Sequence, residues 1–274
     1  IHSKLKADSK EALSILYTPG VAAPCLEIAQ DKELAYTYTG KGNDVAVITD
    51  GSAVLGLGNI GPDAAMPVME GKCLLFSEFA GINAVPLCVG TQDVDEFVRF
   101  VQLASPSFGG INLEDISSPR CFEIEQRLRE TLNIPVFHDD QHGTAIIVLA
   151  GVINALEYLG KSAETASVVI NGAGAAGISI ANLLLEYGFT DVTLCDINGA
   201  VCEGDDTLNP AQAAMAKRTN RRHAKGSLKD VLAGKDVFIG VSRGGLVSQE
   251  MIASMAEKNV VFAMANPISE IYPD

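Results

Sequence analysis

The chain has 274 residues, of which 47% are hydrophobic and 20% charged, a balance that excludes disorder and allows two well-packed domains. Thirty-four acidic against 20 basic residues leave a formal net charge of -14, which excludes a nucleic-acid groove or an anionic membrane as the partner, since both are bound through excess lysine and arginine. Six cysteines form no Cys-x-x-Cys pair, no apolar run of membrane length is free of charges or turn residues, and no signal peptide opens the chain, so the expectation is a cytoplasmic protein with reduced thiols.

Residues 1–44 read as a polar, turn-rich arm punctuated by Tyr17-Thr-Pro-Gly-Val21, in which Tyr17 alone fits a packed arm residue. Val45 to Thr49 is a buried strand ending at Asp50-Gly51-Ser52, and Pro62 opens a helix expected to reach Phe79. Between them, Gly56-Leu-Gly58-Asn-Ile-Gly61 has dinucleotide-type glycine spacing. It fails as a fingerprint, because five residues part it from the strand and no acid closes the next one. It fits a flexible loop touching a ligand at a cleft between domains.

Lys72 lies in Val68-Met-Glu-Gly-Lys72-Cys-Leu-Leu-Phe76. Such a lysine either snorkels to water or is partly buried with a lowered pKa, and the second case makes a candidate general base. Val85 to Val89 is the next strand, Val94 to Leu103 a helix, Gly110 to Leu113 a strand broken by Glu114-Asp115, and Pro119 to Leu132 an amphipathic helix. Ile134 to Phe137 is a short strand running into His138-Asp-Asp-Gln-His142, and Gly143-Thr144 opens the helical run to Gly160. The alternation predicts a mainly parallel sheet with covering helices.

The pattern then restarts. Ser167 to Asn171 is a strand, Gly172-Ala-Gly174-Ala-Ala-Gly177 a glycine turn, Ile178 to Tyr187 a helix, and Val192 to Cys195 a strand ending in Asp196. Gly172 permits the tight turn, Gly174 the approach of a pyrophosphate, and Gly177 close helix–strand packing; Ala175 and Ala176 are candidate cofactor-binding residues within the same turn. Asp196 stands where a carboxylate binds the ribose hydroxyls of NAD and repels a 2'-phosphate. The basic cluster Lys217 to Arg222 reads as a solvated helix face and exit loop, Asp236 to Val241 and Val260 to Ala265 as strands, and Gln249 to Lys258 as a helix.

The predicted fold class is therefore α/β with two domains: residues 1–142 hold substrate and metal on a mainly parallel sheet, and residues 143–274 form a Rossmann-type doubly wound domain, incomplete at its end. Glu114, Asp115 and Asp140 at strand ends offer the oxygen-only ligand set that suits Mg²⁺ or Mn²⁺, although carboxylates also serve as caps and turn acceptors. Adjacent strand residues point to opposite faces, so Glu114 and Asp115 share an ion only if the backbone leaves the strand there. His138 and His142 have the spacing of a helical zinc site, which is discounted because Asp139 stands where a zinc protease has Glu and the first histidine follows a strand.

Tyr17-Thr-Pro-Gly-Val-Ala22, Gly51-Ser-Ala-Val-Leu-Gly-Leu-Gly-Asn-Ile-Gly61, Met69-Glu-Gly-Lys72, Gly110-Ile-Asn-Leu-Glu-Asp-Ile116, Phe137-His-Asp-Asp-Gln-His-Gly-Thr144, the glycine turn and Ala265-Asn-Pro267 closely resemble the malic enzymes in their short bacterial form. The resemblance covers essentially the whole chain. It implies oxidative decarboxylation of L-malate to pyruvate and CO2 with NAD or NADP, NAD being favoured by Asp196, and with Mg²⁺ or Mn²⁺. It implies metal ligands at Glu114, Asp115 and Asp140, a general base at Lys72, a general acid at Tyr17, Asp139 hydrogen-bonded to Lys72, and Asn266 beside nicotinamide and substrate. A homodimer is implied too, with the arm bearing Tyr17 able to reach a neighbouring subunit. The family pattern continues past Asp274, so the chain reads as a fragment. A malolactic enzyme, which releases lactate and retains NAD, and a malate- or NAD-binding fragment without turnover are the alternatives.

Overall fold

The computed structural model describes residues 5–54 and 56–273. Leu55, inside the glycine-rich run 51–61, and both chain ends, Ile1 and Asp274 included, lie outside the described residues. The arm is more regular than its turn signals predict. Lys10–Leu16 (α1), Ala22–Gln30 (α2) and Ala35–Tyr38 (α3) are helices, and the Tyr17-Thr-Pro-Gly stretch is the break between the first two. Ser9 caps α1 by accepting from Ala12 N at 3.0 Å. None of the three helices buries a residue in this chain, which is why hydrophobic periodicity gives no helical signal there.

The first domain follows the alternation: Asp44–Thr49 (β1), Pro62–Ala80 (α4), Asn83–Cys88 (β2), Val94–Ala104 (α5), Gly110–Leu113 (β3), Arg120–Thr131 (α6) and Val136–His138 (β4). The sheet order is β2-β1-β3-β4, parallel throughout. Phe97, Val98 and Val101 of α5 and Ile124 and Leu128 of α6 pack with Ala46, Ile48, Ile111 and Leu113 of the central strands. Each large side chain buried this way stabilises the domain by about 1.5–3 kcal/mol.

Asp139–Leu159 (α7) starts four residues before the expected Gly143. Two carboxylates are favourable at a helix N-terminus, and a Cβ at position 143 would collide with the Asp139 carboxylate, so a side chain there would have to displace that carboxylate. Gly160, at φ +68°, ends the helix. By length and composition alone α7 is long and apolar enough to cross a membrane, although, as the sequence reading has it, the run is not free of charges or turn residues, since it includes Asp139, Asp140, Gly143 and Glu157. One face of it, Ala145, Val148, Val152 and Leu156, is built into the core of the second domain, while Ile147 on the other is 72% exposed.

That domain contains Ser167–Asn171 (β5), Ala175–Tyr187 (α8), Asp191–Asp196 (β6), Gly199–Ala200 (β7), Pro210–Ala216 (α9), Leu228–Leu232 (α10), Val237–Gly240 (β8), Gln249–Ala253 (α11) and Val260–Ala263 (β9). The order is β7-β6-β5-β8-β9, with only β7 antiparallel. Strand order reverses between β5 and its neighbours β6 and β8, which opens a crevice at the carboxyl ends. Two expectations are corrected. The helix predicted to run to Lys258 stops at Ala253 and turns, because Ser254 to Lys258 pack as a turn with Lys258 at φ +55°. The basic cluster forms the exit loop after α9, and only its reading as a solvated helix face is corrected: Thr219 and Asn220 are buried, and Asn220 adopts φ +47°.

Candidate active site

Three strand ends build the acidic site. At the end of β3 the backbone does leave the strand, since Asp115 has φ +54°, and its carbonyl accepts from Ala53 N at 3.0 Å. This turn puts Glu114 and Asp115 on one side. Asp140, in the first turn of α7, accepts from Asp115 N at 2.8 Å. Ligand oxygens of Glu114, Asp115 and Asp140 all lie within 4.8 Å of one another. Burial, and then the neighbouring Asp140, push the Glu114 carboxyl up to about 7 against the opposing pull of Lys72 and Asn112.

Lys72, on α4, donates to Asp139 Oδ2 at 2.9 Å and pairs with Glu114 Oε1 at 3.0 Å. Its apolar neighbours in sequence suggest a neutral amine, and the structure differs. Burial by itself lowers the pKa, but the combined attraction of Glu114 and Asp139 outweighs it and raises the pKa above the ordinary lysine value. The ammonium neutralises carboxylates that would otherwise repel one another. Tyr17 is not brought to this cluster. It caps α1 with its ring 68% exposed.

Several supporting contacts escaped the sequence reading, some of them between residues it names. His138 is fully buried, with Nδ1 2.9 Å from Gln141 Nε2 and Nε2 3.3 Å from Asp140 Oδ2, without hydrogen-bond alignment to it. Burial lowers its pKa despite the nearby carboxylates, so the imidazole is neutral and presents an orphaned nitrogen toward the acids. Glu125 accepts from His138 N at 3.1 Å and lies 2.8 Å from His142 Nε2. Arg120 pairs with the buried Asp50 at 2.7 Å and donates to Ser52 and Ser117, and Ser52 accepts from Ser117 N. This network staples the β1 and β3 ends and so fixes the Asp115 turn. Its signal in the sequence was the strand ending at Asp50-Gly51-Ser52.

The second feature is a cleft of about 860 Å³ at the switch point, lined by Gly172, Gly174, Asp196, Asn198, Ser242 and Arg243, with Ser118 contributed by the first domain. A Cβ at Gly172 would come within 2.7 Å of Val241 O, and one at Gly177 would collide with Gly172 O. At Gly174 the corresponding space is open, which leaves room for an anion at the N-terminus of α8, which Ala175 and Ala176 begin. Asp196 lines the cleft and accepts from Asn198 N at 2.7 Å. No residue of Lys217 to Arg222 lines it; Arg218 bonds Asn182 and Arg222 pairs with Asp191.

The two features adjoin. Ala175 packs on the core of the first domain, Ser118 lies three residues beyond Asp115, and a Cβ on Gly56 would lie 2.9 Å from Asn266 O. The loop 56–61 therefore touches the turn bearing the exposed Asn266. The donor set fits the groups in question: three hard oxygen ligands with no thiolate among them suit Mg²⁺ or Mn²⁺, and the glycine cradle with its acid suits a dinucleotide.

Comparison with known proteins agrees over the whole chain. The family description "Malic enzyme, N-terminal domain" matches residues 1–129, and "Malic enzyme, NAD binding domain" matches 141–272. A "Bifunctional malic/malolactic enzyme" of Bacillus subtilis (strain 168) is 55% identical over 99% of this chain and 67% of its own length. An "NAD-dependent malic enzyme" of Geobacillus stearothermophilus is 54% identical over 100% and 57%. The chain thus spans roughly 57–67% of these relatives, and other relatives about half identical are named NAD- or NADP-dependent malic enzymes. The solved NAD-dependent malic enzyme of Thermotoga maritima superposes with a TM-score of 0.96 at 49% identity, covering 100% of this chain and 73% of that one. On motif, fold and similarity over the whole of this chain alike, the chain belongs to the malic enzyme family.

Proposed function

We propose that this chain carries the catalytic machinery for oxidative decarboxylation of L-malate to pyruvate and CO2, with a divalent ion and NAD as the favoured cofactor. The observation that carries the reading is the convergence of Glu114, Asp115 and Asp140 with Lys72 against them, beside a dinucleotide cleft. Glu114, Asp115 and Asp140 would hold the ion, and Gly172, Gly174 and Gly177 the pyrophosphate. When bound, the ion supplies a Lewis acid for the C2 oxygen of malate and the nicotinamide supplies the hydride acceptor.

The residues of this chain do the rest. Lys72 holds a proton in its ion pair with Glu114 and Asp139; were Glu114 to hold a cation, Lys72 would keep only Asp139 as a partner, its pKa would fall, and Nζ, having released its proton to solvent, would be free to take the C2 hydroxyl proton. Asp139 keeps that amine aimed at the site. Asn266 is assigned to the nicotinamide end of the cleft, and Tyr17 to protonation of C3 after CO2 leaves. Exposure of Tyr17 and the lack of buried residues in α1 to α3 favour an arm that packs on a second copy of the chain, so that Tyr17 acts in the partner's site. Mixing Tyr17→Phe chains with Lys72→Ala chains should then restore up to about a quarter of the activity through dimers in which one site is intact. Mixtures as inactive as their parents would remove the shared-site arrangement.

Asp196 on the cleft wall, with the basic cluster turned away from it, supports NAD over NADP. Asp196→Ser should raise the ratio of kcat/KM for NADP to that for NAD by on the order of tenfold, because it removes a charge facing the 2'-phosphate; an unchanged ratio would place the discrimination elsewhere. The activity is tested on this chain with L-malate, Mn²⁺ and each cofactor, following reduced nicotinamide by absorbance and assaying pyruvate and lactate. Reduced cofactor matched by pyruvate and abolished by chelation supports the proposal. Lactate without net reduction favours the malolactic reading that the Bacillus relative's name raises, and NAD binding without turnover favours a binding fragment.

A further inference from the structure

We propose that Glu270 is a positioning residue that sets the nicotinamide end of the cleft. Its side chain is 0% exposed, and among the described residues no cationic side chain pairs with it. Instead each carboxylate oxygen accepts one backbone N–H: Oε1 from Ser242 at 3.2 Å and Oε2 from Ala265 at 3.0 Å. Those amides begin the loops after β8 and β9. One loop carries the cleft residues Ser242 and Arg243, and the other carries Asn266.

The grip extends to a third strand. Ser242 Oγ accepts from Asn171 Nδ2 at 2.8 Å, and Asn171 is the last residue of β5, directly before the glycine turn. The backbone beside the carboxylate repeats the tie, with Gly245 N donating to Ser269 O at 3.0 Å and Val247 N to Glu270 O at 3.1 Å. Gly240 leaves the room, since a Cβ there would collide with the Glu270 carboxyl group. Burying a carboxylate without a counter-ion is costly, and an apolar side chain of similar volume would fill the space without that cost. What an apolar residue cannot do is accept two amides from two loops and hold them at one fixed spacing.

The inference rests on the cofactor reading above. It is tested with Glu270→Gln, which keeps the volume but turns one acceptor into a donor facing a backbone N–H, and with calorimetric titration of NAD into each protein. The expected result is affinity for NAD weaker by about tenfold, the loss of one charge-assisted hydrogen bond, appearing in turnover as a raised KM for NAD. A lower Tm with unchanged NAD affinity would overturn the proposal by making the residue merely structural. Where the variant does not fold, hydrogen exchange on the unmodified chain decides: slow exchange at Ser242 and Ala265 supports the clamp, and rates like those of exposed loops overturn it. Failure of the unmodified chain to bind NAD would instead overturn the cofactor reading, leaving the exchange rates to judge the clamp.

Discussion

Lys72→Arg and Lys72→Ala should both lower malate turnover by about a thousandfold, the range expected for loss of a general base, while leaving NAD affinity unchanged. The pair is chosen because Lys72 has two separable roles in this structure. Its charge lies against Glu114 and Asp139, and its amine is the group able to give up and take a proton. Arginine retains the charge and releases no proton near neutrality, so Lys72→Arg keeps the compensation and loses the chemistry. Alanine loses both, and with the competing cation gone the three carboxylates should bind Mn²⁺ more tightly than in the unmodified chain. Turnover surviving in Lys72→Arg would show that only the charge matters and that another group is the base. The NAD cleft, built from β5, α8 and β6, makes no use of Lys72, so a parallel loss of NAD binding would point to misfolding.

How far the site was legible in the sequence depended on whether a residue's role was local. The glycine turn was readable because its three glycines recur at fixed spacing within six residues, even though only the Gly177 approach to Gly172 O is local and the Gly172 approach to Val241 O comes from a distant strand end. Strands were readable wherever a run was buried on both faces, as in Val168 to Ile170 and Ala46 to Ile48. The arm was not, since its helices bury nothing within the chain and carry no periodic signal. Helix α7 began early because the carboxylates of Asp139 and Asp140 are favourable in its first turn and Gly143 leaves room for the Asp139 side chain.

Long-range partners were the least readable. Arg120 and Asp50 are 70 residues apart in sequence, and Glu270 and Ser242 are 28 apart; each is an ordinary surface-type residue until the fold buries it. Charge state followed the same rule. The apolar neighbours of Lys72 in sequence leave open only a snorkelling amine or a buried one with a lowered pKa, whereas its spatial neighbours are carboxylates, Glu114 just after β3 and Asp139 of α7.

The metal-free protein should lose stability as pH rises from about 5 to about 8, relative to Glu114→Gln measured alongside it, and Mn²⁺ should abolish that loss. Glu114 is held up to about 7 from an ordinary 4.5 by burial and by Asp140. Between those values the folded chain binds a proton that the unfolded chain has released, so the stabilisation is complete below about 4.5 and is lost as pH rises through about 7. Lys72, whose pKa is also raised, keeps its contribution across this window and loses it only above the ordinary lysine value of 10.5. His138 acts in the opposite direction. It is buried neutral with a lowered pKa, so its contribution is present above 6.5 and falls away as the medium becomes more acidic, which is why the comparison with Glu114→Gln is needed to isolate the carboxyl. Metal binding must displace the Glu114 proton, so Mn²⁺ affinity, read from the loss of the free-ion resonance, should fall by up to about tenfold per pH unit below 7. Asp140→Asn, which removes one anionic ligand, should weaken Mn²⁺ on the order of a hundredfold at any pH, at least the loss that outer-shell changes cause. Mn²⁺ binding that ignored both pH and Asp140→Asn would move the ion away from Glu114, Asp115 and Asp140, and with it the decarboxylation chemistry assigned to this end of the sheet.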